Sequence, residues 1–223
     1  MSKSPLARGV ALAALGTSLT LPTISQAAFI EDSKASVELR NFYMNRDFRQ
    51  EGGSKGQSKA EEWAQGFLLR YESGYTEGTV GFGVDAIGTL CLKLDSGGGT
   101  GGIGLLQRDR ESGEAQDSYG DLGVTAKVKL SNSVLKAGTL MPKLPVLMSN
   151  DSRLLPQSFQ GGWVNSQEIP GLTLDAGQLS RVNQRDSSDH EAMTMTGGNG
   201  RGFTGTGGVT SDEFNFASAS YKW

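Results

Sequence analysis

The connections between apolar segments alternate between long and short along this chain. Segments with the period-two alternation of β-strands are joined by short turns at 74–78 (GYTEG), 131–133 (SNS) and 169–171 (IPG). Between these turns the connections are longer, each of about ten residues or more. A soluble β-sandwich has no reason to sort its connections in this way, whereas membrane barrels place short turns on one rim and long loops on the other. The pattern predicts an all-β, transmembrane antiparallel β-barrel.

Eight strands are predicted from this alternation, at 35–46, 61–73, 79–95, 119–130, 134–140, 159–168, 172–184 and 212–223. The third is the clearest, since Val80, Phe82 and Leu90 share an apolar face that faces away from Cys91 and Lys93. Its length suits a membrane strand, which needs about 9–11 residues to cross with tilt. The body of the chain has no apolar run of the roughly 20 residues that a transmembrane helix requires.

The first 27 residues are typical of a secretory signal peptide. Lys3 and Arg8 begin it, a short apolar region follows, and small residues lead to predicted cleavage between Ala27 and Ala28. Removal of this segment leaves 19 Lys+Arg against 24 Asp+Glu, a net charge of −5. An acidic chain of this kind is not expected to bind nucleic acid.

The stretch at 141–162, MPKLPVLMSNDSRLLPQSFQGG, combines three prolines with many apolar residues. Proline excludes it from a regular strand, and its apolar side chains require a packing partner. Two interpretations stay open from the residues alone. It is either a loop folded into the lumen of a barrel, with Arg153 facing the passage, or a connection that caps a soluble β-domain.

Seven segments resemble the OprD family of outer-membrane porins, in the same order: ELRNFYMNRDF, EEWAQGF, YESGYTEGTVGFGVDAIG, LKLDSG, GTLMPKLPVL, NDSRLLPQSFQGG and GLTLDAGQLSRV. The resemblance implies a barrel of about eighteen antiparallel strands in the outer membrane of a Gram-negative cell. It also implies passive, selective uptake of small carboxylate-bearing solutes, either amino acids or aromatic and cyclic acids, without a cofactor. The loop after the fifth strand then narrows the pore, and Arg153 receives the carboxylate beside Asn150, Asp151 and Ser152.

The chain departs from the family in length, since it supplies only about the first eight of the expected strands. We therefore interpret residues 28–223 as the N-terminal part of a porin, and we do not expect them to form a functional channel alone, because unpaired strand edges are not tolerated in lipid. The complete protein is expected to contact outer-membrane lipids and the barrel-assembly machinery, and to form a homotrimer.

Other candidate residues have a structural explanation beside the functional one. Arg40, Arg70, Lys127 and Lys129 lie on the predicted lumen face and either line an anion path or are balanced by Glu38, Glu72, Asp85 and Asp121. The sequence GTGGIG at 99–104 matches GxGxxG, but no helix is predicted after it, so we interpret it as a flexible loop. Cys91 has no metal-ligand partner at a suitable spacing.

Two further functions remain as alternatives. One is an outer-membrane barrel hydrolase that uses His190, although no serine lies in a nucleophile-elbow context and a solvated loop position is expected for this histidine. The other is a structural or adhesive barrel that acts through its long outer loops.

Overall fold

The structure, a computed structural model, describes residues 29–49, 57–97, 100–109, 111–195 and 209–223. Eight strands of 8 to 16 residues form the main antiparallel sheet: β1 (Lys34–Asp47), β2 (Lys59–Glu72), β3 (Val80–Asp95), β4 (Ser118–Leu130), β5 (Ser133–Leu140), β8 (Ser158–Ser166), β9 (Leu172–Asn183) and β13 (Phe214–Tyr221). The others have two or three residues: β6 (Lys143–Leu144), β7 (Leu147–Met148), β10 (His190–Glu191), β11 (Met193–Met195) and β12 (Val209–Ser211). No helix in the described ranges is long and apolar enough to cross a membrane.

The eight long strands follow one another in the sheet in the order in which they occur in the chain. The order is β1-β2-β3-β4-β5-β8-β9, with β13 on the other side of β9 and the short β10 extending the same sheet. All of these pairings are antiparallel. The all-β antiparallel fold predicted from the sequence is confirmed, and strand ends differ from the predicted ones by only one or two residues.

Connection lengths alternate as the sequence predicts. The short connections are 73–79, 131–132 and 167–171, and the long ones are 48–58, 96–117, 141–157 and 184–213. Successive strands of an antiparallel meander run in opposite directions, so all short connections lie on one rim of the sheet. We call this the turn rim, which is the periplasmic side in outer-membrane barrels.

The two faces of the sheet differ in what covers them. Large apolar side chains on one face are exposed, among them Val37, Leu39, Leu69, Phe82, Leu90, Leu122, Val124, Leu135, Val164 and Leu174. An apolar face this extensive needs a lipid environment. The opposite, inner face carries the charged residues and is covered by the loops at 100–109 and 141–157, which bury two apolar clusters against it.

Glu168 joins two connections of the turn rim. Its carboxylate accepts hydrogen bonds from the Ser133 hydroxyl (2.8 Å), the Ser131 hydroxyl (2.9 Å) and the Asn132 backbone N–H (2.9 Å). These donors, led by Ser133, favour the charged form and lower the pKa of Glu168 below its usual 4.5. The ionised carboxylate therefore stabilises the turn between β4 and β5.

We expect this contribution to depend on pH in a defined direction. Because the pKa of Glu168 is lowered in the folded state, the stabilisation is present above pH 4.5 and is lost as the pH falls through the lowered value. The difference in thermal unfolding temperature between the parent chain and Glu168→Gln should therefore disappear on acidification. Glu77→Gln, in the connection between β2 and β3, is the control, and an equal pH response of both variants would contradict the assignment.

Candidate functional site

The loop at 141–157 folds back across the inner face and docks on the first two strands. Leu154 and Leu155 are buried in the same cluster as Ala64 and Leu68 of β2. Gly66 of β2 makes this approach possible, because a Cβ atom at that position would lie 2.9 Å from Leu154 Cγ. Of the two interpretations left open by its residues, the structure therefore supports the loop that folds onto the inner face. We call residues 141–157 the constriction loop.

An ion pair fastens the constriction loop to β1. The Arg40 guanidinium donates from both terminal nitrogens to Asp151, with Nη1–Oδ1 at 2.6 Å and Nη2–Oδ2 at 3.1 Å. Its Nε donates to Glu38 Oε1 at 2.7 Å, and Arg70 Nη1 donates to Glu38 Oε2 at 2.8 Å. The planar fork of arginine suits such two-point contacts. The charges of Arg40, Arg70, Glu38 and Asp151 thus balance one another.

Arg153 is placed differently from the other arginines of the site. It has no ion pair with any residue that the structure describes, and its Nε is buried without a hydrogen-bond partner. Its backbone carbonyl lies 3.4 Å from Arg40 Nη1, so the fastening of the loop passes next to it. The guanidinium of Arg153 therefore remains available to an anion. Lys143, the other cation of the loop, lies on β6 and is exposed.

Asn150 and Ser152 shape the backbone around Arg153. The Asn150 Oδ1 atom accepts from the Ser152 N–H at 3.1 Å and from its hydroxyl at 2.8 Å. Arg185, just after β9, donates to the Ser152 hydroxyl oxygen at 3.2 Å. The two residues that the sequence places beside Arg153 thus hold the loop, and the second one connects it to the segment after β9.

Lys127 and Lys129 lie away from the constriction loop, next to the turn rim. Lys127 is 6% exposed, donates to the Ser73 carbonyl at 2.7 Å and pairs with Asp85 at 2.5 Å. The ammonium groups of Lys127 and Lys129 lie 4.8 and 5.7 Å from the centroid of the Tyr75 ring. The structure therefore does not bring these lysines together with Arg153.

Glu62 of β2 is a fully buried carboxylate that sequence reasoning missed. It accepts hydrogen bonds from the backbone N–H groups of Gly102, Ile103, Leu105 and Leu106, at 2.7 to 3.4 Å. The glycine-rich segment, which the sequence predicts to be flexible, is therefore held in place by hydrogen bonds from its backbone N–H groups to the Glu62 carboxylate. Gly102 has a φ of 94°, a value that glycine adopts without strain. An acidic residue on the inner face opposite a glycine-rich loop is the signal that could have suggested this contact.

His190 is half-buried, in contrast with the solvated position expected from the sequence. Its Nε2 lies 3.4 Å from Asp121 Oδ1, and Asn183 donates to Asp121 Oδ2 at 2.9 Å. Cys91 is fully buried on the inner face. The described residues contain no group of three or more side chains suited to hold a metal ion.

The antiparallel sheet has an apolar outer face and a charged inner face, and a loop folds over the inner face. These features together define the class of pore-forming outer-membrane barrels. A sequence profile described as outer membrane porin, OprD family, matches residues 27–223. The chain belongs to the OprD family, whose members are channels and not enzymes. The hydrolase alternative is thereby removed.

Individual relatives agree with this placement. The chain is 42% identical over 210 residues to the porin-like protein GalP of Pseudomonas putida, an alignment that covers 94% of this chain and 48% of GalP. The crystal structure of Pseudomonas aeruginosa OccK9 (OpdG) matches with a TM-score of 0.80 and 53% identity over 88% of this chain and 48% of that one. The structure of Pseudomonas aeruginosa OpdK with vanillate matches with a TM-score of 0.73 and 43% identity, over 87% of this chain and 46% of that one. The chain thus spans about half the length of these relatives.

Proposed function

We propose that residues 28–223 form the N-terminal part of an outer-membrane channel for passive uptake of small carboxylate-bearing solutes, with residues 1–27 removed as a signal peptide. The observation that carries the proposal is the position of Arg153 in the constriction loop without an ion pair among the described residues. A guanidinium binds a carboxylate through two parallel hydrogen bonds. The neighbouring Arg40 is already bound by Asp151 and Glu38, so Arg153 is the arginine at this point that is left for a passing anion.

The solute class is supported by chemistry and by one relative. OpdK has been crystallised with vanillate, an aromatic carboxylate. By analogy, an aromatic or cyclic acid or an amino acid would place its carboxylate on Arg153, and Asn150 and Ser152 would keep the loop in position. The complete protein would contact outer-membrane lipids, would depend on the barrel-assembly machinery and would form a homotrimer.

A fusion barrel allows a direct test. We define it as residues 28–223 joined to the C-terminal strands that follow the matched region in Pseudomonas putida GalP. We expect Arg153→Ala to reduce the uptake rate of benzoate in proteoliposomes about tenfold, since a charged hydrogen bond is worth about 1.5–3 kcal/mol. Arg153→Lys should retain part of the rate, because it keeps the charge without the fork.

The control is Arg46→Ala, which removes one arginine near the outer end of β1 and outside the constriction loop. A neutral solute of similar size, benzyl alcohol, should pass all variants at equal rates. Equal benzoate uptake by the parent and Arg153→Ala barrels would overturn the proposal. A complete absence of uptake and conductance in the parent barrel would favour the structural or adhesive alternative.

A further inference from the structure

A cavity lies between the constriction loop and the turn rim. It has a volume of about 170 Å³, and the residues that line it include Arg70, Glu72, Lys136, Met141 and Trp163. Lys136, Glu72 and Asp85 also line a neighbouring cavity of about 470 Å³ that reaches Lys34 and Lys129. A solute that has passed Arg153 towards the periplasm would therefore enter a space walled by β2, β3, β4 and β5.

Some of the charges around this space are already neutralised. Arg70 is bound to Glu38 at 2.8 Å, and Asp85 is paired with Lys127 at 2.5 Å. Lys136 has no ion pair in the part of the chain that the structure describes, and neither has Glu72. Lys34 and Lys129 of the larger cavity also lack an ion pair among the described residues. Within the smaller cavity Lys136 offers the one free ammonium to a carboxylate, while Glu72 repels a second negative charge.

An aromatic ring stands next to this ammonium. Lys136 Nζ lies 5.7 Å from the ring centroid of Trp163. The indole is fixed in place, because its Nε1 donates to Asp175 Oδ1 at 2.9 Å and Asn165 donates to the same oxygen at 2.7 Å. Asp175 is only 5% exposed. A ring attached to a carboxylate on Lys136 would thus meet an indole whose orientation is already set, at little entropic cost.

From this geometry we propose that Lys136 and Trp163 form a second binding subsite, on the periplasmic side of the constriction, for monocarboxylates that carry an aromatic ring. Lys136 receives the carboxylate and Trp163 stacks on the ring. Glu72 disfavours dicarboxylates by like-charge repulsion. The inference rests on the proposed function, since it describes where the same solute binds after Arg153.

Tryptophan fluorescence measures this binding without transport. In the fusion barrel, replacement of Trp63, Trp223 and every tryptophan of the GalP strands by phenylalanine leaves Trp163 as the single reporter, since residues 28–223 contribute three tryptophans. In detergent micelles, benzoate should change its emission in a saturable way. Lys136→Gln should weaken the binding about tenfold, and Lys136→Arg should largely restore it. Lys59→Gln is the matched control, because Lys59 lies at the outer end of β2 and pairs with Glu61.

A comparison of three ligands distinguishes binding at this subsite from simple electrostatic attraction to Lys136. Terephthalate, with two carboxylates, should bind more weakly than benzoate, and Glu72→Gln should reduce that difference. Acetate, which lacks a ring, should bind more weakly than benzoate as well. No saturable change with benzoate, or equal affinities for benzoate and acetate, would overturn the subsite.

A sided measurement in the fusion barrel provides an independent readout. Benzoate added on the turn-rim side should interrupt the current of small ions, and Lys136→Gln and Trp163→Leu should shorten these interruptions. Persistent interruptions in both variants would contradict the subsite, although Arg153-dependent uptake could continue. Loss of Arg153 dependence with intact Trp163 binding would instead contradict the proposed function alone.

Discussion

Replacement of Gly66 by leucine should open the constriction. A Cβ atom at residue 66 would lie 2.9 Å from Leu154 Cγ and 3.1 Å from its Cδ1, so a larger side chain competes with the constriction loop for the same space. Overpacking of this kind costs about 1–3 kcal/mol, enough to shift the loop largely out of its docked position. In the fusion barrel, Gly66→Leu should therefore raise single-channel conductance and admit larger solutes.

A matched glycine on the same sheet provides the control for this effect. Gly88 of β3 faces outward, where a Cβ atom would meet nothing closer than 3.8 Å. Gly88→Leu adds the same side chain to a membrane strand without touching the loop and should leave conductance unchanged. If both variants behave alike, the contact with Leu154 is not what holds the loop.

Replacement of Glu62 by glutamine should release the segment at 100–109 from the wall. The amide has one acceptor oxygen where the carboxylate has two, and its NH₂ group would face backbone N–H groups. Leaving buried donors unsatisfied costs about 3–5 kcal/mol in total. A cost of this size raises the population of the open segment at least a hundredfold, and cleavage by a protease follows that population.

Trypsin reports this opening directly, since Arg108 lies in the segment. Cleavage after Arg108, followed by mass spectrometry, should accelerate about a hundredfold in Glu62→Gln. Glu61→Gln is the control, because Glu61 is the adjacent residue in the chain but pairs with Lys59 and Tyr43 outside the buried segment. Unchanged cleavage in Glu62→Gln would show that the carboxylate does not hold the segment.

The sheet could be predicted from the sequence because membrane strands are defined by local patterns. Alternation along β3 and β4 places apolar residues on the lipid face, and the lengths of the connections determine the rims. Both the alternation and the connection lengths can be recognised from residues that are close together in the chain. The proline-rich composition at 141–162 was likewise sufficient to predict a loop that packs against the rest of the chain, although the structure ends this loop at residue 157, where β8 follows.

The partners of the charged residues could not be predicted in the same way. The sequence makes Arg40 and Arg70 equal candidates with Lys127 and Lys129 for an anion path, yet Arg40 pairs with Asp151, a residue 111 positions later in the chain. The contacts of Glu62 are with backbone N–H groups. Every non-proline residue carries such a group, so the residue types in the sequence do not reveal which ones bind Glu62. Which cation stays unpaired depends on such long-range contacts.

The bond between Arg40 and Asp151 also has a consequence for the order of folding. Neighbouring strands can pair after the closure of a short loop, whereas this bond closes a loop of more than a hundred residues. The conformational entropy lost on closure grows with the length of the loop. The lumen should therefore be wide while the strands assemble and should narrow only in a late step. In the channel proposed above, a newly inserted barrel would pass solutes without discrimination for a short time before it becomes selective.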